Sequence, residues 1–291
     1  MASKKISIVM AYLNRKPQLL FTLKTINLSR FTNFEVIIVD DGSDDVHRLE
    51  DIVKNYKFPI NLIRIDKEKK TWINPCIAYN KGFAAATGEI IVIQNPECCH
   101  IGDCLTYINN HLTASDYMTF SCFSLHDPQT NDQLYKLWEK APQGPFIKTL
   151  GAGSPPLSMI GQFIAIQQKR FESYRWKGWY NHNIYNPRKL HFMSATFRSN
   201  IEKIGGFDEN YANGLWFDDN EFFVRISAIC NSTIVPISEN VLCIHQFHGK
   251  SPTDKVKVEI NNNLYKKLLD KVENKQYYVN WKLIGNKLSH P

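Results

Sequence analysis

The stretch "NPCIAYNKGFAAATGEIIVIQNPEC", residues 74 to 98, changes character twice. Its alanine-rich first part reads as a helix closed by Gly88. Ile90, Ile91, Val92 and Ile93 then follow without a break, as in a strand buried on both faces. The run ends at once in Gln94, Asn95, Pro96 and Glu97. An oily strand that stops on amides, a proline and a carboxylate makes either a polar turn or a set of oxygen ligands.

The same alternation extends to the N-terminus. "KISIVMAYLN" reads as a strand ending at Asn14, and "KPQLLFTLKTINLS" as a helix with Pro17 in its first turn. "FEVIIVDDGSDD" is a second strand, "VHRLEDIVKNYK" a helix with Leu49, Ile52 and Val53 inward, and "INLIRID" a third strand. Strands alternating with helices of these lengths give a parallel sheet covered on both faces. Ligands of such sheets sit beyond the carboxyl ends of the strands. Asn14, the Asp40–Asp44 cluster and the Asn95–Glu97 turn all fall there.

Past residue 105 the pattern loosens. "DPQTNDQ" reads as a turn and "KAPQGPFIKTLGAGSPPLS" as a long surface loop. "GWYNHNIYNPRKLHF" has the aromatics and amides of a sugar-facing wall, with Trp179 and His191 as candidates, although its rings suit the core of this irregular half equally well. "SATFRSNIEKIGGFDENY" reads as strand, helix and a Gly205–Gly206 turn, and "DDNEFFVRISAIC" as a helix with acids in its first turn. "STIVPIS" and "VLCIHQF" are short strands. The tail from Gly249 carries nine lysines against four acids and an amphipathic helical run.

The 291 residues, 43% hydrophobic, suffice for one large core or two modest ones. The net charge of +7 is spread along the chain, which suits phosphates or an anionic membrane face and excludes a nucleic-acid footprint. Seven cysteines without a CxxC pair read as free buried thiols in a reducing compartment. No signal peptide or spanning helix is legible. The expectation is a cytoplasmic protein, with peripheral attachment to a membrane surface left open.

Five segments carry a resemblance: "ISIVMAYLNR", "VIIVDDGSDD", "AYNKGFAAATGEIIVIQNPEC", "FRSNIEKIGGFDE" and "WFDDNEF". In this order and spacing, over roughly residues 5 to 248, they resemble the family 2 inverting glycosyltransferases of the GT-A fold. The resemblance implies an α/β architecture. A Rossmann-like nucleotide-binding half (1–105) with a mostly parallel central sheet is joined to an acceptor-binding half (106–250), and a C-terminal helical extension follows (251–291). It further implies a nucleotide-sugar donor, usually of uracil, a glycan acceptor and a divalent metal, Mn²⁺ or Mg²⁺.

Carried over by position, Asp41 would hold the nucleotide base, flanked by Asp40 and Ser43, with Ala11, Tyr12, Leu13, Asn14, Asn74 and Asn95 also on the nucleotide. Glu97 takes the place of the metal-binding carboxylate, with Asn95 where a second acid is usual. Histidine 245 or 248 would reach the metal or diphosphate (His245, His248). Asp219 of the Asp218–Asp219 pair matches the catalytic base, and Glu221 lies close enough in sequence to face a sugar. Two positions depart from the pattern. Leu13 stands where many members stack an aromatic on the base, with Tyr12 as a neighbouring substitute, and Asn74 stands where some have an arginine.

The chemistry suits these residue types. A leaving diphosphate needs its charge neutralised, which carboxylate-bound Mg²⁺ or Mn²⁺ does. An attacking hydroxyl needs a positioned base, and crowded, partly buried carboxylates have the raised pKa that favours one. Taken singly, each motif has a plainer reading. Glu97 can be a turn acid, "DDGSDD" a strand-to-helix turn, and Asp218, Asp219 and Glu221 helix-capping acids. The competing functions are a sugar-phosphate nucleotidyltransferase, whose Gly-rich basic loop is absent after the first strand, and a non-catalytic glycan-binding module.

Overall fold

The computed structural model describes residues 3–140, 155–249 and 253–273. Most of the expected 140–158 loop, and the tail beyond 273, lie outside the described residues.

The first half follows the alternation. β1 (Ile6–Tyr12), α1 (Lys16–Ile26), β2 (Phe34–Asp40), β3 (Ile60–Arg64), α2 (Cys76–Ala85) and β4 (Ile90–Gln94) come in turn. The second half adds β5 (Cys98–Ile101), α3 (Cys104–His111), β6 (Asp116–Phe120), β7 (Cys122–Ser124), α4 (Pro128–Glu139), α5 (Leu157–Lys169), β8 (Trp179–Asn181) and β9 (Met193–Phe197). It closes with α6 (Arg198–Ile204), α7 (Asp218–Ser227), β10 (Asn231–Val235), β11 (Leu242–His245) and α8 (Lys255–Glu273).

Seven strands form the central sheet in the order β10-β6-β9-β4-β1-β2-β3. Strands β3, β2, β1 and β4 are mutually parallel, while β9 runs antiparallel between β4 and β6. Tyr12 pairs with Asp40, and Asp40 with Arg64, so three strand ends finish level on one edge. Ile90 to Ile93 are at most 1% exposed, so each contributes roughly 1.5–3 kcal/mol of burial.

A second sheet, β5-β11-β7-β8, was not legible in the sequence. Its strands of three or four residues are too short to show a period. It sets β5, which follows Glu97 directly, antiparallel to β11, with His245 opposite Cys98. Sulfurs of Cys98, Cys122 and Cys243 meet in this sheet within 4.8 Å, fully buried. All seven cysteines are free and buried.

Three local expectations are corrected. The segment 46–57 is not a helix but two 3-10 turns, Asp45–His47 and Val53–Asn55. Its Leu49, Ile52 and Val53 still face inward, with Leu49 1% exposed. The Tyr12 hydroxyl and Arg64 pin it instead, through the His47 carbonyl and Glu50. "DPQTNDQ" opens α4, where Asp127 caps the helix by accepting from the Thr130 amide at 2.8 Å. Gly88 does not end α2, which stops at Ala85 with Ala86 already extended. A Cβ at Gly88 would lie 2.7 Å from the Ser7 amide nitrogen, so close approach of β1 explains the glycine.

Candidate active site

A cleft of about 790 Å³ opens along the carboxyl ends of β1, β2 and β4. Residues Ala11–Leu13, Asp41 and Asn95–Glu97 form that side, and His191, Leu215–Asn220, His245 and His248 also line it.

The Asn95–Glu97 stretch is a tight turn. The Cys98 amide donates to the Asn95 carbonyl at 3.0 Å, with Pro96 in the position where its fixed φ helps. The Glu97 backbone carbonyl accepts from both the backbone and side-chain nitrogens of Gln246, each at 3.0 Å. That pins the turn to the chain between the two histidines. Glu97 Oε1 then lies 3.3 Å from His245 Nε2 and 3.4 Å from His248 Nε2. Two ligands about 2.1 Å from one ion and at right angles sit roughly 3 Å apart, so the spacing fits a divalent ion. Burial alone would raise the Glu97 carboxyl, but a hydrogen bond from His245 and the charges of His245, His248 and Arg15 bring it to about 2. A carboxylate with two imidazoles is a donor set for a divalent first-row metal, between the oxygen sites typical of Mn²⁺ and the nitrogen-rich sites of Zn²⁺ and Fe²⁺. Asn95 faces the cleft with its amide oxygen already accepting from the Tyr79 hydroxyl at 3.0 Å.

On the nucleotide side, Asp41 accepts from Lys70 Nζ at 2.7 Å and from Trp72 Nε1 at 2.9 Å. Burial still holds its carboxyl above the ordinary value. Lys70 and Trp72 were missed, because "DKEKKTW" reads as a solvated charge run. Arg15, also missed, lines the cleft one residue beyond Asn14. A cation directly after the first strand end was the available signal.

Four of the expected nucleotide residues serve the frame of the site. Asp40 is fully buried against Arg64 at 2.8 Å and accepts from the Ser43 amide. Ser43 Oγ accepts from the Asn14 amide at 3.0 Å, and the Asn14 side chain clamps Asp44. The Tyr12 ring is 0% exposed, with its hydroxyl donating to His47, so it has no free face for a base. Leu13, 40% exposed, is the side chain presented there.

Opposite, the chain enters α7 through two consecutive left-handed residues, Trp216 (φ 62°) and Phe217 (φ 64°). Non-glycine residues hold such angles only where their surroundings enforce them. Here buried Asn261 of α8 donates to the carbonyls of Trp216 (2.8 Å) and Tyr211 (3.1 Å). The turn sets Asp218 and Asp219 at the start of α7. Asp218 is buried and accepts from Asn74 Nδ2 at 2.8 Å. Asp219 is half-buried and its side chain accepts from the Asn220 amide alone among the hydrogen bonds of the described residues. Burial first, and then the charge of Asp218, raise Asp219 to about 7.

The sugar candidates divide. His191 lines the cleft as a neutral imidazole, since burial lowers it to about 3. Trp179 is 1% exposed, edge-on to Phe123, and belongs to the core; Tyr180, Phe192, Trp216 and Phe217 are among the rings that line the cleft. Glu221 is likewise turned away, in a buried two-pronged pair with Arg225.

This sheet, with a cleft at its strand ends, is the GT-A type of nucleotide-sugar fold. The chain belongs to glycosyl transferase family 2, whose model matches residues 7–175. That match includes Asp41 and Glu97; Asp219 and the histidines lie beyond it. The chain is 33% identical over 88 residues to the amylovoran biosynthesis glycosyltransferase AmsB of Erwinia amylovora, covering 29% of this chain and 28% of that protein. Two solved structures share the fold at lower identity. S. aureus TarS 1-349 in complex with UDP-GlcNAc has a TM-score of 0.52 at 14% identity, over 85% of this chain and 60% of that one. The mannosyltransferase PcManGT from Pyrobaculum calidifontis, in complex with GDP-Man and Mn²⁺, has a TM-score of 0.50 at 12% identity, over 99% and 85%. No helix among the described residues is long and apolar enough to cross a membrane.

Proposed function

We propose that the chain is a metal-dependent inverting glycosyltransferase that moves a sugar from a UDP-sugar to a hydroxyl of a glycan acceptor. The product would be a surface polysaccharide or a glycoprotein glycan. The observation that carries this reading is one cleft holding both a carboxylate–imidazole trio and a carboxylate raised into the neutral range.

Glu97, His245 and His248 would hold Mn²⁺ or Mg²⁺, which when bound supplies positive charge against the diphosphate. Arg15 lines the same cleft and adds a fixed cation. Asp41, steadied by Lys70 and Trp72, keeps lone pairs for an imide N–H of the base. The acceptor oxygen bonds to C1 of the sugar as the C1–O bond to the diphosphate breaks. The electron pair leaves on the nucleoside diphosphate and the hydroxyl proton passes to Asp219. Attack from the face opposite the leaving group inverts the anomeric carbon. Raised to about 7, Asp219 is a stronger base than an ordinary carboxylate yet still ionises near neutrality.

The reading places the protein in the cytoplasm. Exposed Val256 and Ile260 on lysine-rich α8 support contact with an anionic membrane face. A panel of nucleotide sugars screened by thermal shift with Mn²⁺ tests the donor. One present at 100 times its Kd should add about 2.7 kcal/mol. A panel in which no nucleotide sugar or nucleoside diphosphate shifts the transition would contradict the reading.

A further inference from the structure

A second groove, of about 600 Å³, adjoins the cleft and shares Tyr180 and Arg188 with it. Arg175, Trp176, Tyr185 and Asn186 complete its lining, with Pro187. Between Arg175 and Phe192 the sequence has four basic residues and no acid. The two lysines lie over rings, Lys177 over Tyr185 at 5.4 Å and Lys189 over Phe223 at 5.8 Å. The two arginines are exposed, and neither forms an ion pair among the described residues.

The groove is built by its backbone. Lys177 (φ 44°) and Gly178 (φ 84°) reverse the chain after Trp176. Asn186 Nδ2 donates to the carbonyls of Trp179 (2.8 Å) and Tyr180 (3.0 Å). His182 Nδ1 accepts from the amides of Ile184 and Tyr185. The rings of Trp176 and Tyr180 lie near parallel, 6.3 Å apart at 25°. Tyr180 stacks in turn on Phe192 at 4.7 Å and 20°, so the apolar ring surface left for the C–H side of a sugar is that of half-buried Trp176 and Tyr185, while a guanidinium offers a fork that fits carboxylate or phosphate oxygens.

Resting on the glycosyltransferase reading above, we propose that this groove is the acceptor subsite and that the acceptor sugar carries an anionic group, carboxylate or phosphate, beside the attacked hydroxyl. A neutral acceptor would leave two guanidinium groups facing it unpaired; an anionic one turns both into charge-assisted hydrogen bonds. Arg188 links the subsite to the chemistry, because its charge acts on Asp219, the proposed base. The aromatic faces hold the ring, the arginines set its direction, and the hydroxyl is delivered towards the donor cleft.

The test uses the full chain with Mn²⁺ and UDP and paired probes that differ by one anionic group at C6. 4-Nitrophenyl β-glucuronide is set against the β-glucoside, and glucose 6-phosphate against glucose, by calorimetric titration. The charged member of at least one pair should bind about tenfold or more tightly than its neutral twin, and the pair that shows it names the group. That preference should shrink to about twofold in Arg175→Gln, and in wild type at high salt. Equal binding within both pairs, no binding of any charged probe at millimolar concentration, or a preference that survives Arg175→Gln combined with Arg188→Gln would overturn the proposal. A thermal shift with Mn²⁺ and UDP on the same samples separates the two claims. A shift without charge preference removes the anionic subsite alone, and charge preference without a shift removes the donor reading.

Discussion

Asn74 Nδ2 donates to Asp218 Oδ1 at 2.8 Å, joining residues 144 positions apart across the cleft. The bond occupies Asp218 and fixes its charge next to Asp219, whose own carboxylate stays open to the cleft. Asp218→Asn removes that charge, so the midpoint of the rate's pH dependence should move down from about 7. Wild-type turnover should rise with pH through that midpoint as Asp219 loses its proton. The stability sign is opposite to that of an ordinary carboxylate. The folded pKa lies above the unfolded one, so the contribution of Asp219 is fully present below about pH 4 and is lost as pH rises through about 7. Asp219→Asn should therefore melt above wild type at about pH 8, and that advantage should shrink as pH falls and vanish by about pH 4. Rate profiles and melting curves across this range check both.

Glu97→Gln keeps the size of the side chain and removes its charge between the two imidazoles. Nucleotide binding should lose its dependence on Mn²⁺, with affinity down about 10–100-fold or more. Titration of UDP with and without EDTA measures this. Binding by the variant that still responds fully to Mn²⁺ would rule out the trio as the metal site.

Asn261 holds the left-handed Trp216–Phe217 turn from a helix that no catalytic group occupies. Asn261→Ala should lower kcat about tenfold while the donor KM stays close to wild type, because the turn positions Asp219 and not the nucleotide. A fall in donor affinity of the same size would show that α8 supports the whole cleft.

Glu221 answers to Arg225 and not to a sugar. Glu221→Ala leaves a buried guanidinium unpaired and should cost about 3–5 kcal/mol. Urea unfolding gives the loss, and turnover per folded molecule should remain near wild type.

The parallel half was legible because Ile90–Ile93 and Val36–Val39 are continuous apolar runs ending in polar residues. Their carboxyl ends, on the same edge of the sheet, put Asp41 and Glu97 in one cleft, as the sequence order implied. The second sheet was not legible, since three-residue strands have no period, and with it went the register that sets His245 beside Glu97. Residue type also misled at Trp179, where burial decides, and at Tyr12, where the hydroxyl finds the His47 carbonyl. Lys70 and Trp72 act on Asp41 through pairings that separate segments make only after folding.

In the proposed function Asp219 accepts the acceptor's proton in transfer from a nucleoside-diphosphate sugar. The most direct measurement follows nucleoside-diphosphate release and donor binding together in wild type and Asp219→Asn. Mn²⁺-dependent donor binding should persist in the variant while turnover falls about 10²–10⁴-fold. Near-normal turnover by Asp219→Asn would contradict it.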